Sequence, residues 1–381
     1  MKRFFFFVLS VFFSMNVLVA QITSVKVNAN SESLGQNGVF YSLPRAVLQV
    51  DVIVSKINDV PGPYASYANQ VLGLTDNINR NETTFAIKGV YIQSITEADP
   101  NAVYFLNFGE RSSKADKSFL VQLQANGVLK GINESSPINE EDRRAKIELR
   151  EDYFSNDFNY LADLNQKIHV DTIIRRMSVD TTSIEDVVYN RSMVEKSTLE
   201  RAKDAANNYM EIHKNRIELL SGFQEVNYPA QTIEMMNLEL RKMENDYLAL
   251  FKGKRFVSEE KFSFYVTPQG DKTTQTYPLF RFSKERGMTD SNTSSGAKVN
   301  LMIHSNGITD ILKNQNSGEQ ALGIFYRVPE SAHVWVEYNN TELAQNTFII
   351  PQLGVLQWVY TTKTILAIDS KTGMLKAIEI K

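Results

Sequence analysis

The chain has 381 residues, with 41 Lys+Arg, 44 Asp+Glu, 4 His and no cysteine, for a formal net charge of −3. An apolar content of 43% and a charged content of 22% mark an ordinary globular chain, long enough for two or three domains. The charge gives no electrostatic reason to expect nucleic acid, and the missing cysteine excludes disulfides, thiolate metal sites, a cysteine nucleophile and a lipid-modified N-terminal cysteine.

Residues 1–20 read as an export signal. Lys2 and Arg3 form the basic start, Phe4 to Phe13 is an apolar run broken by Ser10, and Leu18-Val19-Ala20 ends on the small residue that cleavage needs. An uncleaved anchor is the alternative, and Ser10, Ser14 and Asn16 interrupt the span it would require. No later window is apolar enough to cross a bilayer as a helix. The expectation is therefore an exported chain starting at Gln21, in the periplasm or at the cell surface. Without Lys2 and Arg3, 39 basic residues face 44 acidic ones, a balance of −5.

Residues 22–181 form the first segment and read as β. Leu48, Val50, Val52 and Val54 alternate with Gln49 and Asp51, the period of a half-buried strand over 46–57. Residues 85–95, 102–108 and 119–124 are further predicted strands. Ala125-Asn126-Gly127 is a hairpin turn into Val128-Leu129. Between the first two strands, Pro63 opens a short helix whose buried face is Tyr64, Tyr67, Ala68, Val71 and Leu72, and Gly73 stops it. Residues 132–158 are polar and read as a loop.

Residues 182–253 form the second segment, predicted as an antiparallel helical hairpin. Thr182 and Glu185 have the spacing of a capping box, and Ser221-Gly222 ends the first helix. Leu199, Ala202, Ala206, Tyr209 and Leu220 line one face of it. Pro229 starts the second helix, with the stripe Ile233, Met236, Leu240, Met243, Tyr247, Leu250. Intramolecular packing is the expectation, with a partner-binding arm as the alternative.

Residues 254–381 return to β and read as a sandwich-like domain. Phe262, Phe264 and Val266 alternate with polar neighbours, as do Val299, Leu301 and Ile303. The fold class is therefore α+β, with two mainly antiparallel β domains flanking the helical hairpin.

Motifs for chemistry are sparse. There is no HExxH, EF-hand loop, GxSxG elbow, SxxK, phosphate loop or GxGxxG. The four histidines, at 169, 213, 304 and 333, are far apart in sequence. Glu97 and Asp99, and the run Glu140-Glu141-Asp142, are paired carboxylates of a kind that surface loops commonly carry. No cofactor and no metal site is expected.

The sharpest signal is aromatic. If Val334 and Val336 face the core, then His333, Trp335 and Glu337 share the outer face, and an outward indole can stack on a sugar ring or fill a partner's pocket. The alternative places Trp335 in the core. Trp358 reads as core. Asp171-Thr172-Ile173 and Asp180-Thr181-Thr182 match a short O-glycosylation acceptor pattern.

Several long segments carry a resemblance. GVFYSLPRAVLQVDVIV (38–54), PGPYASYANQVLGL (61–74), ERAKDAANNYMEIHKNRIELLSG (200–222), DYLALFKGK (246–254), YRVPESAHVWV (326–336) and IDSKTGMLKAI (368–378) occur in order along the chain. Together they resemble an exported Bacteroidales family, domain of unknown function 4831. The resemblance implies a periplasmic or surface location and supplies no catalytic residue. The expected function is a non-catalytic envelope protein that binds an envelope protein or glycan or serves as a structural module. The alternative is a periplasmic enzyme of glycan or peptide processing with an inter-domain site.

Overall fold

The structure is a computed structural model that describes residues 22–27, 37–108, 120–132, 148–155, 157–159, 165–179, 182–222, 228–270, 272–312, 320–361, 364–369 and 372–380. Residues 1–20, read above as an export signal, and Glu140 to Asp142, Asp180 and Thr181 lie outside the described residues.

The chain opens with β1 (Thr23–Lys26) and β2 (Gly38–Val60), followed by helix α1 (Ala68–Leu72) and β3 (Glu82–Asn107). Next come β4 (Val121–Leu123), β5 (Leu129–Ile132), β6 (Gln166–Val179) and β7 (Thr182–Glu195). Helices α2 (Thr198–Ser221) and α3 (Ala230–Lys252) lead into β8 (Lys254–Val266), β9 (Thr274–Ser283), β10 (Gly287–Thr289) and β11 (Ala297–Ser305). The chain continues through β12 (Gln320–Ala321), β13 (Ile324–Tyr338), β14 (Thr341–Val359), β15 (Thr364–Ile368) and β16 (Leu375–Ile380). The fold is α+β, with mainly antiparallel sheets on either side of a helical hairpin in the sequence.

Sheet one runs β12-β1-β3-β2-β8, sheet two β10-β9-β11-β13-β14, sheet three β16-β15-β5-β4, and β6 with β7 makes a separate two-stranded ribbon. Sheet one thus joins strands from the first and third segments. Leu48, Val50 and Val52 of β2 pack against Val299, Leu301 and Ile303 of β11 and Val334 and Val336 of β13 in one core. A second core joins Tyr41, Leu43, Tyr104 and Leu106 to Leu129, Ile132, Phe325 and Leu366. The expected alternation in β11 holds, since Val299, Leu301 and Ile303 have no exposed surface. Leu301→Ala should lower unfolding free energy by about 2–5 kcal/mol in urea titration, through lost transfer energy and the cavity left behind.

Four expectations need correction, three of them outside the helical hairpin and one within it. Gln49 and Asp51 are not on a solvated face: both are buried. Gln49 Nε2 donates to Asp51 Oδ1 at 2.8 Å, and Ser263 Oγ donates to the same oxygen at 2.6 Å, so the polar face is internally satisfied. Residues 85–95 and 102–108 are not separate strands but parts of the single strand β3, which stays paired with β2 through a register shift near Pro44. Thr182 does not cap a helix. It begins β7, and Ser197 with Glu200 forms the capping box of α2.

That box is electrostatically reinforced. Lys167 of β6 pairs with Glu200, and with the Ser197 amide and hydroxyl it lowers the Glu200 carboxyl to about 2. The stabilisation is therefore complete above the ordinary Glu value near 4.5 and is lost as pH falls towards about 2. Ser197→Ala should cost about 0.5–2 kcal/mol by thermal unfolding.

The hairpin packs within the chain. Ala202, Ala205 and Ala206 of α2 let α3 approach, and Tyr247, Leu250 and Phe251 close a third core that also takes Ala68 of α1 and the preceding Tyr64. The inward leucine near the end of α2 is Leu219, whereas Leu220 is exposed. Gly73 and Gly222 end α1 and α2 at φ 67° and 74°, a left-handed conformation that glycine adopts without a Cβ clash.

Candidate functional site

Strand β13 presents the predicted face. Val334 and Val336 are fully buried, which turns His333, Trp335 and Glu337 to the opposite side, where each is half-buried. The His333 and Trp335 rings stack, with centroids 5.1 Å apart and planes at 28°. Both flanking strands add to this face by register. Met302 of β11 lies opposite Trp335 and Asn300 opposite Glu337. On β14, Gln345 lies opposite Trp335 and Thr347 opposite His333. The result is a partly exposed aromatic pair bordered by amides and hydroxyls, whose ring edges can contact a ligand that hydrogen-bonds at its margin.

The histidines show what spacing alone hides. His304 lies directly opposite His333 across β11 and β13 although 29 residues separate them in sequence. Its Nδ1 sits 2.9 Å from Thr274 Oγ1 on β9, the side away from His333. His169 Nε2 lies 2.8 Å from Asp171 Oδ1 on β6. His213 of α2 stacks near Tyr209 and bonds through Nδ1 to Glu244 Oε1 at 2.7 Å, a packing role in the hairpin. Arg216 Nε reaches Glu244 Oε2 at 2.8 Å as an ion pair without hydrogen-bond alignment. Among the described residues, no three His, Asp or Glu side chains converge on a metal-sized centre.

Of the carboxylates named from sequence, the described pair Glu97 and Asp99 is structural in its contacts. Glu97 Oε1 accepts from Arg45 Nε at 2.6 Å. Asp99 Oδ2 accepts from Arg327 Nη2 at 2.5 Å. They engage different arginines and do not form a dyad with each other.

A second surface lies beside β8 and was not foreseen, because it depends on a non-local clip. Residues 150–152 cover part of that edge strand: Asp152 N donates to Val257 O at 3.0 Å, and Glu259 N donates to Arg150 O at 2.8 Å. The clip borders a shallow hollow of about 630 Å³ lined by Lys56, Asn58, Tyr153, Phe154 and Phe256. Its carboxylates are held below their ordinary range: Asp152 by Arg150 and the Val257 amide, and Glu259 by Lys88 and the Arg150 amide. Such groups stay ionised at neutral pH and act as clamps, not as proton donors. Their contribution is present above the ordinary carboxylate range and is lost as pH falls through the depressed values. Hydrogen-exchange protection at Val257 and Glu259, corrected for the intrinsic rate, should accordingly fall in acid before protection at Leu301 does.

No helix of the described residues is long and apolar enough to cross a membrane. No curated protein and no solved structure matches the chain. A family model described as Domain of unknown function (DUF4831) matches residues 37–364, so most of the chain is covered and the protein belongs to that family.

Proposed function

We propose that this protein is a non-catalytic binding or structural module of a Bacteroidales envelope, exported through residues 1–20 and cut after Ala20. Its partner is an envelope protein or glycan. The observation that carries the reading is the stacked His333–Trp335 pair on the outer face of sheet two, bordered by Gln345 and Thr347. A partly exposed aromatic pair with polar margins suits recognition, where the rings supply contact area and side-chain amides supply direction.

The test is a photo-crosslinker installed at Gln345 in living cells, with the exposed Tyr265 of sheet one as control position. The reading expects an envelope adduct at Gln345 that is absent from Tyr265 and is lost with Trp335→Ala. No adduct, or equal adducts at both positions, overturns it. The location is checked by the intact mass of the protein in the envelope fraction. A chain starting at Gln21 is expected, and a chain retaining residues 1–20 would contradict export by cleavage.

A further inference from the structure

The ribbon of β6 and β7 is amphipathic yet uncovered. Ile168, Val170, Thr172 and Ile174 of β6 share one face with Met193, Arg191, Tyr189 and Val187 of β7, each opposite its partner in that order. A period-two apolar face ordinarily exists to be buried. Here Ile168, Ile174, Tyr189 and Met193 are 63%, 55%, 65% and 63% exposed. Neither strand joins another sheet among the described residues, so neither outer edge of the ribbon is paired there. An isolated two-stranded hairpin is marginal in water, and open edges are templates for another strand.

Two kinds of occupant come into question, a lipid surface and a second protein strand. Arg191 sits within the apolar face, opposite Val170. A charged side chain on a lipid-facing strand is strongly disfavoured at bilayer depth. The strand edge offers a better match. The centre of β6 reads Asp171-Thr172-Ile173-Ile174-Arg175, and all five side chains are exposed. An antiparallel copy of the same segment, related by a two-fold axis at Ile173, would place Asp171 opposite the second copy's Arg175, and Arg175 opposite its Asp171. Thr172 would face Ile174 on both sides, and Ile173 would face itself. Residues directly opposite in such a pair lie on the same face of the sheet, so the ribbon's apolar faces would also align.

We infer that β6 is a self-association edge, where two copies of this chain pair antiparallel about Ile173 into a four-stranded sheet β7-β6-β6-β7. Asp171 has one neighbour already, His169 at 2.8 Å from Oδ1, on the same strand. The pairing needs Oδ2 or a shared contact. The inference is independent of what the β13 face binds.

Sedimentation velocity on the full chain across a concentration series tests it. Wild type is expected to form a dimer. Asp171→Lys alone, or Arg175→Glu alone, creates two like-charge contacts and should weaken the dimer about ten-fold. An equimolar mixture of the two variants should restore association. In the mixed dimer the introduced lysine would meet the introduced glutamate, and the native Asp171 would meet the native Arg175. Circular dichroism shows whether each variant is folded, and both changes are at exposed positions. A wild-type chain that stays monomeric at high concentration overturns the inference, whether or not it binds anionic vesicles. So does a dimer that the single variants leave unchanged, or a mixture that fails to recover.

Discussion

Replacing Arg327 with Met is expected to lower stability by about 3–5 kcal/mol, as for other buried ion pairs that lose one partner. Arg327 on β13 reaches from sheet two to sheet one: Nη2 donates to Asp99 Oδ2 and Nη1 donates to the Pro44 carbonyl, each at 2.5 Å. The two side chains are only 14% and 8% exposed. Truncation leaves the Asp99 carboxylate buried without this counter-ion, with the Asn101 amide at 3.0 Å as its remaining partner among the described residues. Removing both charges, with Asp99→Leu added to Arg327→Met, should recover most of the loss, because the residual penalty belongs to the unpaired charge. Urea titration of the two single variants and the double variant measures this. A single-variant loss below about 1 kcal/mol would show a solvated pair of the surface kind.

Tyr41→Ala is expected to have a similar effect, about 3–5 kcal/mol, from the loss of a large ring in a packed core. Tyr41 is 1% exposed, and its ring stacks on Tyr104 at 5.6 Å. Its hydroxyl accepts from the Phe325 amide at 3.0 Å and donates to Ser24 Oγ at 3.4 Å, tying β2 to β1 and β13. Tyr41→Phe keeps the ring and leaves the Phe325 amide without that acceptor, for about 1–3 kcal/mol. Burial pushes the Tyr41 phenol well above its ordinary value, and burial likewise lifts Tyr104 to about 12. Both groups are neutral when folded and must shed a proton to match the unfolded chain in alkali. Their contribution is therefore whole below about pH 10 and declines above it. Alkaline unfolding of the Tyr41→Phe chain should show a shallower pH dependence than wild type.

Much of the fold could be read from local pattern, where a strand or helix buries one face. The alternation in β11 placed Val299 and Leu301 on a core face, that in β13 set Val334 and Val336 on one face together, and the structure buries all four. The short helix before Gly73 and the stop at Gly222 follow from backbone preference alone. Failures came where distant pairing overrides a local signal. Thr182 and Glu185 imitate a helix start, but Ile184, Val187, Val188 and Tyr189 favour a strand, and β7 forms because β6 lies alongside it. Gln49 and Asp51 look solvated in sequence and are buried, because Ser263 on β8 completes their hydrogen bonds. For the candidate face, the side on which His333, Trp335 and Glu337 lie was legible. Its neighbours Met302, His304 and Gln345 were not, since only cross-strand register brings them there.

The binding account centres on Trp335, and the chain has just two tryptophans. With Trp358→Phe, emission reports Trp335 alone. The most direct measurement is titration of that single-tryptophan chain with fractionated envelope glycans and proteins. The account predicts a saturable shift in emission with one fraction, no turnover of it, and loss of the response when Gln345 and Thr347 are both changed to Ala. Emission that stays unchanged across every fraction would contradict the account.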